Sequence, residues 1–149
     1  MDKQQIFKDN YVSTGARGIR NNNPGNIDYN KANNWKGQLP FDKSIEPRFC
    51  RFENVTYGIR ALMVLLRNYQ RNHKIKTVSG LISRWAPNNE NNTRAYINGV
   101  AKEISVPPDE VISLDDKVTL INIAKAIVRH ENGQQPYVDD VFEHAFALI

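Results

Sequence analysis

Ile123-Ala124-Lys125-Ala126-Ile127-Val128-Arg129-His130-Glu131-Asn132-Gly133 is the stretch that decides the fold class. Ala124, Ile127, Val128 and Glu131 fall at i, i+3, i+4 and i+7, which is one face of an α-helix. Asp115 or Asp116 suits the positive end of that helix, and Gly133 suits its C-cap. The spacing therefore predicts a helix from about Asp115 to His130 or Glu131. Its apolar face ends in a carboxylate. A carboxylate placed there lies at the rim of the core or in a cleft, or it is a helix-end Glu reaching solvent. In a cleft, burial would disfavour its charged form and raise its pKa, as a general acid needs at neutral pH.

The same periodicity extends outward from this helix. Ile59, Leu62, Met63, Leu66 and Tyr69 define an amphipathic helix beginning near Thr56. Thr77 is a candidate N-cap for a short helix carrying Val78, Leu81, Ile82 and Trp85, which Pro87 ends. Thr93 is a candidate cap for a third, with Tyr96, Val100 and Ile104 on one stripe. Pro107-Pro108 breaks the chain, and a last helix after Pro136 would carry Val141, Phe142, Ala145 and Phe146. The first third reads as irregular, because Gly15, Gly18, Pro24, Gly25, Gly37, Pro40 and Pro47 punctuate it too densely for a long helix. Residues 48–52 suggest a short strand or extended piece. The expected class is mainly α: about five helices after a loop-rich N-terminal segment, in a single domain over 1–149. Residues 1–16 would form a flexible or peripheral N-terminal extension.

Composition narrows the chemistry. The chain has 149 residues, a net charge of +4 and a single cysteine. One cysteine excludes an intramolecular disulfide and any multi-cysteine metal site. The longest apolar run, Ala61 to Leu66, is too short for a membrane span. The polar start Met1-Asp2-Lys3-Gln4-Gln5 leads to no apolar signal segment. No phosphate-binding Gly-x-x-x-x-Gly-Lys loop and no His-Glu-x-x-His pair occurs. Cys50, set between Phe49 and Phe52, reads as a buried inert thiol rather than a nucleophile. The basic balance (pI about 9.2) suits an anionic partner or an ordinary surface equally. Lys and Arg are scattered, which argues against a nucleic-acid face.

Asparagine is concentrated at 21–23, 33–34 and 88–92. In Gly18-Ile19-Arg20-Asn21-Asn22-Asn23-Pro24-Gly25-Asn26-Ile27, adjacent amides sit on a Gly/Pro-shaped loop. Such a loop binds a polar ligand or caps its own backbone. Trp85-Ala86-Pro87-Asn88-Asn89-Glu90-Asn91-Asn92-Thr93 combines an aromatic platform, a carboxylate and amides that could meet a sugar. Trp85 fits core packing equally well, and Glu90 fits a solvated pre-helical position.

Taken in order, Arg17 to Ile27, Phe49 to Phe52 with Tyr57 to Ala61, Trp85 to Thr93 with Tyr96, and His130-Glu131-Asn132-Gly133-Gln134-Gln135-Pro136-Tyr137 resemble a family of phage and prophage virion proteins. Its relatives are similar to lysozyme-like, lytic-transglycosylase-like domains, and the module also resembles secreted antibacterial effectors. The resemblance covers the chain from about residue 17 to its end. Glu131-Asn132-Gly133-Gln134-Gln135-Pro136 is similar in form to the catalytic Glu-Ser-x-x-x-Pro of those enzymes. Gly15-Ala16-Arg17-Gly18-Ile19 looks like their Gly-Ala-x-Gly-Leu segment, but precedes the helix instead of following it. Either that match is chance, or the lysozyme-like fold is circularly permuted and the Asn-rich loop lies beside Glu131.

The resemblance implies cleavage of the MurNAc–GlcNAc bond of peptidoglycan, with Glu131 as acid/base. A hydrolase would add a second carboxylate, for which Glu90 is the candidate. A transglycosylase would not need one. Trp85, Tyr96, Asn22, Asn23, Asn26 and Tyr137 would bind the glycan. No metal or organic cofactor is implied. The implied partners are glycan strands, with virion or secretion-apparatus proteins or an immunity protein, for a monomer delivered to the envelope or periplasm. Two alternatives stay open: a non-catalytic virion protein that binds the wall, and a peptidoglycan endopeptidase.

Overall fold

In a computed structural model, residues 15–87 and 90–149 are described, except for the side chains of residues 90 and 91. Most of the expected 1–16 extension lies outside these residues. Six helices are found among them: α1 (Arg17–Arg20), α2 (Val55–His73), α3 (Val78–Trp85), α4 (Glu90–Ile104), α5 (Lys117–Asn132) and α6 (Asp139–Ala147). The chain is mainly α. No ladder of strands forms among the described residues. The extended piece at 48–52 makes only the isolated bridges Asp28–Phe49 and Gln38–Phe52.

The helix boundaries follow from capping. The Asn54 side chain accepts from Tyr57 N–H to start α2, and that of Thr77 accepts from Gly80 N–H to start α3. Asp116 accepts from Thr119 N–H at the head of α5, and Gly133 closes that helix with φ 71°. Each such N-cap satisfies a helix-end donor and is worth about 1 kcal/mol. The expected start of α4 at Thr93 is three residues late, because the helix begins at Glu90. The Thr93 hydroxyl does not cap it. It donates to the Ala86 carbonyl and ties the turn between α3 and α4.

Helix α2 is the centre of the core. Its face Ile59, Leu62, Met63 and Leu66 is fully buried, and it packs against α3, α5 and α6. Helix α4 fills the space between α3 and α5. Each of these buried side chains contributes about 1.5–3 kcal/mol relative to exposure.

The loop-rich segment is held differently. Glu46 is buried, and its carboxylate accepts from Arg17 Nε and Nη2 at 2.6 and 2.7 Å. It also accepts from Asn21 Nδ2 and from the backbone N–H groups of Arg48 and Phe49. The Arg17 guanidinium, helped by those N–H donors, holds the Glu46 carboxyl far below the usual carboxylate range against the opposing effect of burial. Asn23 is 0% exposed. Its amide donates to the Ile27 and Cys50 carbonyls and accepts from Ile27 N–H. Loop and helices meet at Gly58 of α2, where a Cβ would lie 1.9 Å from the Asn22 carbonyl oxygen.

Candidate functional site

Three parts of the chain converge on a cleft of about 590 Å³. One wall is loop, with Asn26, Asp28, Tyr29, Asn30 and Trp35. The facing wall is helical: Leu65 and Tyr69 from α2, then Arg84 and Trp85 at the end of α3. Glu131, from the last turn of α5, joins them.

Glu131 is half-buried. Its Oε1 accepts a 3.0 Å hydrogen bond from Asn26 Nδ2. The next residue ties the same elements together, since Asn132 Nδ2 donates 2.8 Å bonds to the Pro24 and Val128 carbonyls. Gly18 of α1 sits against this amide layer. A Cβ there would lie 2.6 Å from Asn132 Oδ1 and 3.0 Å from Asn26 Oδ1. The Gly18 segment and the Glu131 end of α5 are therefore neighbours, although more than a hundred residues separate them in sequence.

Tyr96 supports Glu131 from behind. It is buried in α4, and its ring stacks on His130 with centroids 3.6 Å apart. Burial pushes its phenol well above the ordinary tyrosine value, and the nearby Glu131 carboxylate adds to the shift. The hydroxyl lies within electrostatic reach of Glu131 and the Trp85 indole, yet neither approach has the geometry of a formed hydrogen bond. Tyr96 thus keeps its proton.

The aromatic wall is braced. Trp85 meets Tyr69 edge to face at 6.2 Å, and Tyr29 stacks on Phe41 at 4.0 Å. Asp28 Oδ1 accepts from Arg48 Nε at 2.7 Å, so the second carboxylate of the cleft is already paired. Burial pushes the Tyr69 phenol up, with opposing contributions from Arg84 and Asp28. Rigid aromatic faces alternating with amides and a few charges suit a polar ligand that also has an apolar face, which describes a sugar ring.

Of the expected site residues, the structure brings Glu131, Asn26 and Trp85 into one cleft. Tyr96 lies behind the cleft and touches Glu131's surroundings rather than open space. Asn22 is turned away, its amide donating to the Phe52 carbonyl. Asn23 and Tyr137 correct the expectation of glycan contact. Asn23 spends its amide on the loop's own backbone, and Tyr137 is 1% exposed in the core. The Glu90 side chain lies outside the described residues. Asp28, Tyr29, Trp35, Tyr69 and Arg84 were missed. The alternation Asp28-Tyr29-Asn30 and Asn33-Asn34-Trp35 is the available signal, and the spacing of Tyr69 places it on the apolar face of its helix.

Cys50 is buried. Burial first, then the Asp28 charge, pushes its thiol up to about 11, which leaves it unreactive. Among the described residues, no three His, Cys, Asp or Glu side chains are grouped to hold a metal ion. No helix there is long and apolar enough to cross a membrane.

No family model matches the sequence. The chain is similar to protein P5 of Pseudoalteromonas phage PM2, with 36% identity over 137 residues, covering 91% of this chain and 82% of that protein. An identity of that size over nearly the whole length, spanning both the loop wall and the Glu131 helix, means that this chain belongs to the phage protein P5 family.

Proposed function

We propose that the protein is a virion-associated phage component that engages the glycan strand of peptidoglycan in the Glu131 cleft. One observation carries this reading: a half-buried carboxylate at the end of an apolar helix, fixed by Asn26, in a cleft walled by Tyr29, Trp35, Tyr69 and Trp85. The phage relative supports the virion setting. The contact of Gly18 with Asn132 supports a permuted lysozyme-like arrangement, in which the glycine segment and the Glu helix meet in the reverse chain order.

The geometry also accommodates cleavage. Glu131 would give its proton to the glycosidic oxygen as the C1–O bond breaks. The carboxylate so formed would then take the proton from the sugar's own 6-hydroxyl as that oxygen bonds to C1, which leaves a 1,6-anhydro end. Asp28, exposed and hydrogen-bonded to Arg48, is the second carboxylate that lines the cleft, and a hydrolase would draw on it. A second reading is a virion protein that binds the wall without catalysis, and the phage relative supports its virion setting too. A cysteine endopeptidase built on Cys50 is disfavoured by the burial of that thiol.

Incubation with purified Gram-negative sacculi separates the readings. Wild type is expected to co-sediment with sacculi. Release of anhydro-muropeptides that Glu131→Gln abolishes would make it a transglycosylase. Binding without release, unaffected by Glu131→Gln, would make it a non-catalytic wall binder. Failure to co-sediment would overturn the glycan reading.

A further inference from the structure

The cleft carries four charged side chains: Asp28, Arg48, Arg84 and Glu131. Asp28 and Arg48 neutralise each other at 2.7 Å. Glu131 is held by a neutral amide. Arg84 has no carboxylate partner among the described residues. It is exposed at the C-terminal end of α3, with its guanidinium 5.0 Å from the centroid of the Tyr69 ring. That contact holds the cation in place without spending its hydrogen-bonding fork. The next residue is Trp85, which lines the same cleft and meets the same Tyr69 ring edge to face at 6.2 Å.

We infer that the cleft selects glycans that bear a carboxylate, and that Arg84 is the residue that reads it. The inference rests on the glycan reading above and sharpens its substrate class. The ligand has two features, an apolar sugar face for Trp85 and an anionic group for Arg84, and both residues line the cleft, each against the Tyr69 ring. A planar guanidinium pairs with a carboxylate bidentately. In peptidoglycan the carboxylate is carried by the lactyl group of a bare muramic acid, or by the peptide stem where that group is amidated. A neutral polymer of N-acetylglucosamine offers only the first feature. The basic balance of the chain adds attraction toward such a polyanion.

The test measures binding by Trp fluorescence or calorimetry with three soluble probes. These are N-acetylchitotetraose, GlcNAc–MurNAc with a free lactyl group, and GlcNAc–MurNAc bearing a dipeptide stem. Wild type is expected to bind at least one acidic probe about tenfold more tightly than the neutral one, which is the worth of a single charge-assisted pair of about 1.4 kcal/mol. Arg84→Gln should bring the ratio of acidic to neutral affinity close to one, and Arg84→Lys should restore part of it. Raising the salt with wild type should shrink the ratio too, which gives a readout independent of any variant's folding. Which acidic probe responds identifies the lactyl group or the stem as the source. Equal binding of acidic and neutral probes, or an unchanged ratio in Arg84→Gln, would overturn the inference while leaving the glycan reading intact. Binding of no sugar probe would overturn both. Tighter binding of a single-stranded oligonucleotide than of any sugar acid would overturn the carboxylate assignment.

Discussion

Residues 15–54 and the helices that follow are held together by different physics. The helical part is stabilised by apolar surface on α2 and α5, packed with no exposure at Ile59, Leu62, Met63, Leu66, Leu120 and Ile127. The loop part has few such residues. It is organised around two buried polar groups, the Glu46 carboxylate and the Asn23 amide, each satisfied several times over. The cleft lies where the two regions meet. Its aromatic helical wall is fixed by packing that tolerates small volume changes. Its loop wall is fixed by directional bonds, for which losing a partner leaves a buried polar group unpaired.

The junction is the most sensitive point. Gly58→Ala would force a methyl group into the Asn22 backbone carbonyl, and no side-chain rotation relieves a clash between backbone and Cβ. A loss of about 5 kcal/mol is expected, at the upper end for a single substitution. Urea titration read by circular dichroism measures it, and a loss under about 1 kcal/mol would show that the two regions are not locked there. Leu62→Ala tests the apolar side. It should cost about 4 kcal/mol, in the range for a fully buried leucine. Hydrogen exchange should then rise throughout the helices.

Glu46→Gln tests the polar side. Removing the charge of a buried carboxylate on which Arg17, Asn21 and two backbone N–H groups converge should cost about 2 kcal/mol, with exchange rising first in residues 15–54. The effect depends on pH. The folded Glu46 carboxyl sits well below its ordinary 4.5, so its contribution is complete above that value. It drains away as acid protonates the folded group. Wild type should therefore lose its advantage over Glu46→Gln as the pH falls below about 4.5. A difference that stayed constant down to strongly acidic pH would deny Glu46 this role. So would an exchange pattern in which α2 opens before the loop.

The same contrast explains what the sequence revealed. Helices α2, α3, α5 and α6 were legible because periodicity and capping are local: Thr77, Asp116 and Gly133 all act within four residues of themselves. The start of α4 was misplaced because Thr93 spends its hydroxyl on the preceding turn. Among the residues that line the cleft, Glu131 is marked by its helix face, and Asn26 and Trp85 by loop composition. Glu46 was not, since its guanidinium partner lies 29 residues away and nothing local marks it. Asn22, Asn23 and Asn26 look alike as sequence. Only the fold separates the amide that holds the loop's backbone from the one that reaches the carboxylate.

The Asn26–Glu131 bond closes a span of 105 residues. In an unfolded chain, bringing such distant ends together costs about 4 kcal/mol of loop-closure entropy before any contact offsets it. Contacts of this separation are slow to form. A chain still on the ribosome that has emerged as far as α4 already holds the aromatic and amide walls, but not the carboxylate they surround. The cleft is thus acquired only once α5 has formed and docked, and an intact Asn26–Glu131 contact reports that the loop region and the helices have both folded.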